Sequence, residues 1–147
     1  MPYPRIDVTV KYKGGKRSQC PLIESGDAAA AVVRSICAKN TLLWREEMLM
    51  LSLCCGNRLQ GWYRLGIGGM DKAICDIRII ATVAAKCASA SIILAHNHPS
   101  GKLKPSSADL RTTEQVSAGM ATLGIKLADH IIITDEGHIS LRDEGFM

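Results

Sequence analysis

Two histidines and an aspartate surround one short loop in the second half of the chain. The stretch LAHNHPSGKLKPSSAD, residues 94–109, contains His96 and His98 at alternate positions and ends at Asp109. Alternate residues of a strand face the same side, about 7 Å apart or less, so the two imidazoles can bind one ion. Asp109 lies in the first turn of a predicted helix, where side chains point back past the helix N-terminus. Two histidines and one carboxylate, with water in a fourth position, are typical of catalytic zinc.

Each of these residues also has a purely structural interpretation. Ser106 and Asp109 fit a capping box, which stabilises a helix start by ~1 kcal/mol without any metal. A single histidine on an apolar strand is usually a hydrogen-bonded core residue. The combination of two alternate histidines, a strand stopped by Pro99 and a capped aspartate favours a metal site over these separate interpretations.

A metal-assisted hydrolase also uses a carboxylate that transfers protons and a donor that stabilises negative charge. Glu46 and Glu47 begin a predicted strand and face opposite sides of it, and the pattern alone does not separate them. Ser106 is a candidate hydrogen-bond donor to a tetrahedral oxyanion, a role compatible with capping the helix. The structural alternatives are two solvated acids at a strand start and, for Ser106, a helix cap with no part in catalysis.

The composition predicts one soluble domain over residues 1–147. The chain is 47% hydrophobic and 22% charged, close to the globular average, and its apolar runs are shorter than the ~18 residues of a membrane span. The N-terminus lacks the apolar core of a secretory signal, so we expect a cytoplasmic protein. Six cysteines without a CxxC pair indicate reduced structural thiols: Cys20, Cys37, Cys54, Cys55, Cys75 and Cys87.

The net charge of +4 is concentrated near the N-terminus. Basic residues of this segment, set against Asp7 alone, are Arg5, Lys11, Lys13, Lys16 and Arg17. Such a segment could contact DNA phosphates or an acidic partner. It could also be an edge strand kept soluble by lysines, and we favour that interpretation.

The order of hydrophobic patterns predicts an α/β fold with a mixed sheet and flanking helices. The predicted strands are 5–12, which turns at Gly14 and Gly15 into a hairpin toward Cys20, then 45–55, 58–66, 91–95, 125–134 and 138–141. The predicted helices run from Ser25 to about Asn40, from Asp71 through a largely buried apolar segment, and from Ser106 or Ser107 to a left-handed cap at Gly124. No linker or repeat divides the chain.

Several of these motifs together resemble the JAMM (JAB/MPN) metalloprotease domain in its bacterial RadC-like form. The matching segments are a glutamate before a hydrophobic strand, HNHPSG at 96–101, PSSAD at 105–109 and LADHIII at 127–133. The resemblance runs from about Arg45 to the C-terminus. Longer RadC-like proteins carry an N-terminal helix-hairpin-helix region, which we do not find in this chain.

The resemblance implies a JAMM sandwich with cytidine-deaminase-like layering, and a Zn²⁺ ion held by His96, His98 and Asp109. It further implies Glu47, rather than Glu46, as the general acid/base and Ser106 as the residue that holds the intermediate. His130 lies on an apolar strand, and we leave it outside the predicted metal shell.

The leading hypothesis is therefore a zinc metallopeptidase or isopeptidase that acts on a peptide or protein. The alternative is a non-catalytic binding protein in DNA repair or mobile-element biology, which would contact DNA or a protein partner through the basic N-terminal residues. A metal-dependent nuclease fits less well, because two-metal phosphodiester chemistry uses several carboxylates.

Overall fold

The computed structural model describes residues 3–37, 41–68 and 75–147 of the chain. Three α-helices and five strands are found within these residues, together with a 3₁₀ turn at Arg17–Gln19. In chain order the elements are α1 (Gly26–Ile36), β1 (Glu47–Leu53), β2 (Leu59–Ile67), α2 (Ile77–Lys86), β3 (Ser91–Asn97), α3 (Ser107–Ala121), β4 (Lys126–Ile133) and β5 (His138–Ser140).

The strands form one mixed sheet in the order β2-β1-β3-β4-β5. The β1 strand is antiparallel to both β2 and β3, β3 is parallel to β4, and β5 returns antiparallel to β4. The parallel pair is joined by a helical crossover through α3, as a parallel connection requires. The predicted α/β fold with a mixed sheet and flanking helices is confirmed.

Helices cover both faces of this sheet and define two apolar cores. On the α1 face, Ala29, Ala30 and Val33 pack against residues of β1, β3 and β4 that include Leu49, Leu51, Ile93, Ala95 and Ile131. On the α2/α3 face, Ile80, Ala84, Val116 and Met120 pack against Met48, Met50, Ile92, Leu94 and Leu127. Every β1 and β3 residue is buried, because these central strands are covered on both faces.

Side-chain caps determine where the helices begin. The Ser25 hydroxyl accepts a hydrogen bond from Ala28 N at 3.1 Å, and Ser106 caps α3 through a complete capping box with Asp109. Both predicted starts are confirmed. The described part of the second helix begins after Asp76, which accepts from Arg78 N at 2.9 Å, while the predicted start at Asp71 lies outside the described residues.

The predicted N-terminal strand and hairpin are wrong. Residues 5–12 form no secondary structure and join no ladder with the described strands, and the chain turns through Arg17–Gln19 instead of pairing back. The reason is that alternation alone does not provide a partner: Ile6 is 86% exposed and Val8 58% exposed. Further along the chain, Leu22 forms an isolated antiparallel bridge with Arg58, and Leu59 N of β2 donates to Pro21 O at 2.9 Å.

Helix α2 is less buried than its sequence predicts. Ile80 and Ala84 are fully buried, but Ile77 and Ile79 remain 37% and 40% exposed. The helix therefore has one inward face, on the α2/α3 side of the sheet. Among the helices that the structure describes, none has both the length and the apolar character needed to cross a bilayer.

Candidate metal centre

The centre of the sheet carries the two loop histidines at the C-terminal end of β3. His96 is the register partner of Met48 on β1 and therefore faces the α2/α3 side, where Met48 is buried. His98 lies one residue past β3, and its backbone N–H donates to Ile133 O at 2.9 Å, which continues the strand direction. A turn follows, in which Gly101 has a φ of +78°, a conformation that favours glycine.

Helix α3 brings Asp109 against both histidines. Asp109 Oδ1 lies 3.1 Å from His96 Nε2, Asp109 Oδ2 lies 3.4 Å from His98 Nε2, and the two Nε2 atoms are 2.9 Å apart. Among the described residues, these three form the only group of histidine, cysteine or acidic side chains arranged to hold one metal ion. The structure thus brings the three predicted ligands together.

Hydrogen bonds with neighbouring groups orient the side chains of His98 and Asp109. His98 Nδ1 lies 2.6 Å from Lys102 O, and a carbonyl only accepts, so Nδ1 carries the proton and Nε2 of the neutral ring offers its lone pair. Asp109 Oδ2 accepts from the backbone N–H and the hydroxyl of Ser106, at 2.6 and 2.7 Å. The Ser106 hydroxyl proton is therefore directed at Asp109, and its predicted role toward an oxyanion would require the hydroxyl to rotate.

This donor set fits a tetrahedral zinc ion. With Zn–N and Zn–O bonds of ~2.0–2.1 Å, tetrahedral ligands lie about 3.3 Å apart. The three separations in this cluster, from 2.9 to 3.4 Å, bracket that value. With both Nε2 atoms unprotonated, their lone pairs would repel each other at 2.9 Å, and a cation shared between them removes that repulsion.

The pKa values show that the cluster favours positive charge. Burial acts to raise the pKa of Asp109, but hydrogen bonds from His96, His98 and Ser106 hold that pKa well below its usual range. Burial acts to lower the pKa of His98, but hydrogen bonds to Asp109 and to the Lys102 carbonyl, with the charges of Asp109 and Glu46, raise it. Asp109 is thus an anion that attracts either a proton or a metal ion to the Nε2 atoms.

The strand register separates the two candidate glutamates. Glu47 shares the α1 face with Leu49, where its carboxylate lies 3.2 Å from Arg64 Nε and 3.5 Å from Arg45 Nη2. The sequence-based choice of Glu47 as acid/base therefore does not fit the geometry, because its side chain is on the other face of the sheet from His96. Glu46 precedes β1, is half-buried, and is close enough for its charge to act on His98.

The model of the RadC-like JAB domain family matches residues 23–146. This chain belongs to the RadC-like JAB domain family. Its relatives include a UPF0758 protein from Porphyromonas gingivalis and one from Methanosarcina mazei. The first is 36% identical to this chain over 130 residues, and the second is 39% identical over 103 residues. These alignments cover 88% and 70% of this chain but 57% and 45% of the relatives. The chain therefore spans about half the length of the curated relatives it matches.

Asn97, which sequence reasoning did not single out, organises the approach to β1 in this JAB domain. It lies between the two histidines and faces the α1 side, where its Oδ1 accepts from Glu47 N at 2.7 Å. Its Nδ2 donates to Arg45 O at 2.8 Å and to Leu42 O at 3.2 Å. The sequence did hold a signal for this role. Asn97 lies between two histidines that face the same side of the strand, so its amide must point into the apolar core on the opposite side. Because Asn97 holds the backbone on both sides of Glu46, it positions that glutamate.

His130 of the JAB domain also contacts the site, although it is not one of the clustered ligands. Its Nε2 lies 2.8 Å from His96 Nδ1, and its ring is fully buried. Burial, followed by the charge of His96, lowers the pKa of His130 well below its ordinary value, so the ring is neutral at pH 7. Sequence reasoning left this residue among packed histidines, because the strand face that it occupies depends on a register shift between β3 and β4.

Proposed function

We propose that this JAB domain is a zinc-dependent hydrolase of amide bonds, a peptidase or isopeptidase. The observation that supports the proposal is the convergence of His96 Nε2, His98 Nε2 and an Asp109 carboxylate oxygen within hydrogen-bonding distance of one another. A cytoplasmic location is part of the same proposal, since six free cysteines fit a reducing compartment.

The residues divide the chemical work between them. A bound zinc ion supplies Lewis-acid chemistry and lowers the pKa of water to ~7. Glu46 takes the proton of the attacking water and gives it to the leaving amine nitrogen, a role for which its half-buried place beside His98 suits it. Ser106 holds Asp109 in place through two hydrogen bonds, and Pro105, which is buried, fixes the start of α3.

The two adjacent glutamates provide a matched test of this proposal. Purified protein is analysed for zinc by elemental analysis, with His96→Ala as the control, and the zinc-loaded forms are then incubated with a proteome-derived peptide library whose new termini are read by mass spectrometry. We expect about one zinc per chain and cleavage by the wild type. Glu46→Gln should keep its zinc and lose ~10²-fold or more in cleavage rate, whereas Glu47→Gln should still cleave.

Other results would contradict the proposal in different ways. Normal cleavage by Glu46→Gln would remove the acid/base assignment, and protein that takes up no zinc on titration would remove the hydrolase itself. Zinc-loaded protein that cleaves no peptide would favour the alternative, a binding protein that contacts DNA or a partner. The exposed basic residues near the N-terminus support that alternative. Salt-dependent DNA binding that is lost when Lys11, Lys13, Lys16 and Arg17 are replaced would favour its DNA-binding form.

A further inference from the structure

The β4 strand contains an irregularity that turns His130 toward the metal centre. Ile92 pairs with Leu127, but the next residue, Ile93, pairs with Asp129, so that one residue of β4 is left over. Strict alternation from Leu127 would place His130 on the α1 face. The extra residue instead makes His130 the partner of Leu94, on the α2/α3 face with His96. Bulges that re-aim one side chain are common beside functional sites.

Once on this face, His130 joins a chain of three side chains. His96 Nδ1 lies 2.8 Å from His130 Nε2, and His130 Nδ1 lies 2.7 Å from the Thr113 hydroxyl. The Thr113 hydroxyl in turn donates to the backbone carbonyl of Asp109 at 2.7 Å. His96, His130 and Thr113 are all at least 97% buried, so water does not substitute for these bonds.

The carbonyl at the end of the chain determines the direction of every hydrogen bond in it. Because the Thr113 proton is used on Asp109 O, its oxygen must accept the proton of His130 Nδ1. The neutral His130 ring then has a lone pair on Nε2, which accepts from His96 Nδ1–H. His96 in its neutral form is left with an Nε2 lone pair that faces His98 and Asp109.

We infer that His130 and Thr113 are positioning residues that hold His96 in its metal-binding tautomer and tie its ring to the main chain of Asp109. The inference rests on the proposed metal centre. The chain cannot carry a proton away, since it ends on a carbonyl, and its effect is therefore on ligand geometry. Outer partners of ligating histidines typically change metal affinity by about 10- to 100-fold.

Thr113 offers a pair of nearly isosteric variants for the test. Thr113→Val keeps the shape but removes the hydroxyl, whereas Thr113→Ser keeps the hydroxyl. Zinc affinity is measured by competition with a chromophoric chelator. We expect Thr113→Val and His130→Leu to bind zinc about 10- to 100-fold more weakly than the wild type, and Thr113→Ser to bind within about threefold of it. Val116→Ala, on the same inward side of α3, controls for a loss of core packing alone.

A purely structural role predicts a different pattern. In that case Thr113→Val would lower the melting temperature, as Val116→Ala does, and leave the zinc affinity unchanged, which would overturn the inference. Nitrogen-15 spectra of the imidazoles in metal-free protein provide a second readout, with protons expected on Nδ1 of both His96 and His130. If the wild type binds no zinc, the proposed function fails, and these spectra still decide the hydrogen-bond chain: the absence of a proton from Nδ1 of His96 would overturn it.

Discussion

In each of the two candidate ligand histidines, the two ring nitrogens make different contacts. In each ring Nδ1 is held by a fixed acceptor, the Lys102 carbonyl for His98 and the His130 ring for His96, and Nε2 faces Asp109. The residue types and their spacing allowed this cluster of three side chains to be singled out from the sequence. The orientation of the rings could not be predicted, because it depends on acceptors from a turn and from a distant strand.

The cysteines allow a residue-scale prediction outside the site. Backbone hydrogen bonds from Gly56 and Arg58 lower the pKa of Cys54, whereas burial raises the pKa of Cys37 and of Cys75 to about 11. Alkylation proceeds through the thiolate, so at pH 7.5 iodoacetamide should modify Cys54 at least ~100-fold faster than Cys37 or Cys75. Peptide mapping by mass spectrometry over a time course measures the three rates.

Denatured protein provides the control for that order. In urea the three thiols lose their different surroundings, and their rates should converge. Equal rates for Cys54 and Cys37 in the folded protein would contradict the surroundings described for these thiols.

At the scale of elements, the sequence predicted the strands and helices of the sheet but not every face that they present. The β1 and β3 strands are buried on both sides, so the apolar residues of EMLMLSL do not show which glutamate lies on the metal side. The pairing of Met48 with His96 places Glu47, the neighbour of Met48, on the opposite face from His96. For the same reason the face of His130, which depends on one leftover residue in β4, could not be derived from alternation.

The prediction of a strand in the N-terminal segment was wrong for a different reason. Its alternating residues predict a strand, but a strand also needs a neighbouring edge, and residues 5–12 join none of the described strands. Local pattern reports the propensity of a segment, whereas pairing depends on the rest of the fold.

The packing of α1 against the end of the sheet gives an element-scale prediction. A Cβ on Gly26, the first residue of α1, would lie 2.6 Å from Ser140 Cβ, and Ser140 is held by its hydrogen bond to Asp129. Gly26→Ala should therefore lower the free energy of unfolding by about 1–3 kcal/mol, more than the ~1 kcal/mol that alanine can add through helix propensity. Urea denaturation measures the change.

Gly56→Ala is the matched control, because a Cβ there would meet nothing within 4 Å. Its free energy of unfolding should stay within about 0.5 kcal/mol of the wild type. Equal stability of the two variants would show that α1 and β5 are not packed as closely as the structure has them.

On the scale of the whole molecule, the candidate metal centre joins side chains from separate elements of the fold. His96 belongs to the central strand, His98 to the loop after it and Asp109 to the first turn of α3, while Thr113 and His130 link the same point to β4. An ion bound by these ligands therefore contacts the folded chain in a way that the unfolded chain cannot reproduce. Zinc binding should accordingly stabilise the fold as a unit.

This coupling gives a measurable shift in thermal stability. At a free zinc concentration about 100 times the dissociation constant, binding adds ~2.7 kcal/mol to the free energy of unfolding, or about 5–10 °C for a chain of this size. Differential scanning calorimetry should show that rise on adding zinc to metal-free wild type and its reversal by a chelator. His96→Ala should show a shift of less than about 2 °C, since a ligand is missing. A shift of equal size in both proteins would mean that zinc binds elsewhere, for example at the exposed pair of His138 and Asp27, whose side chains lie 2.8 Å apart.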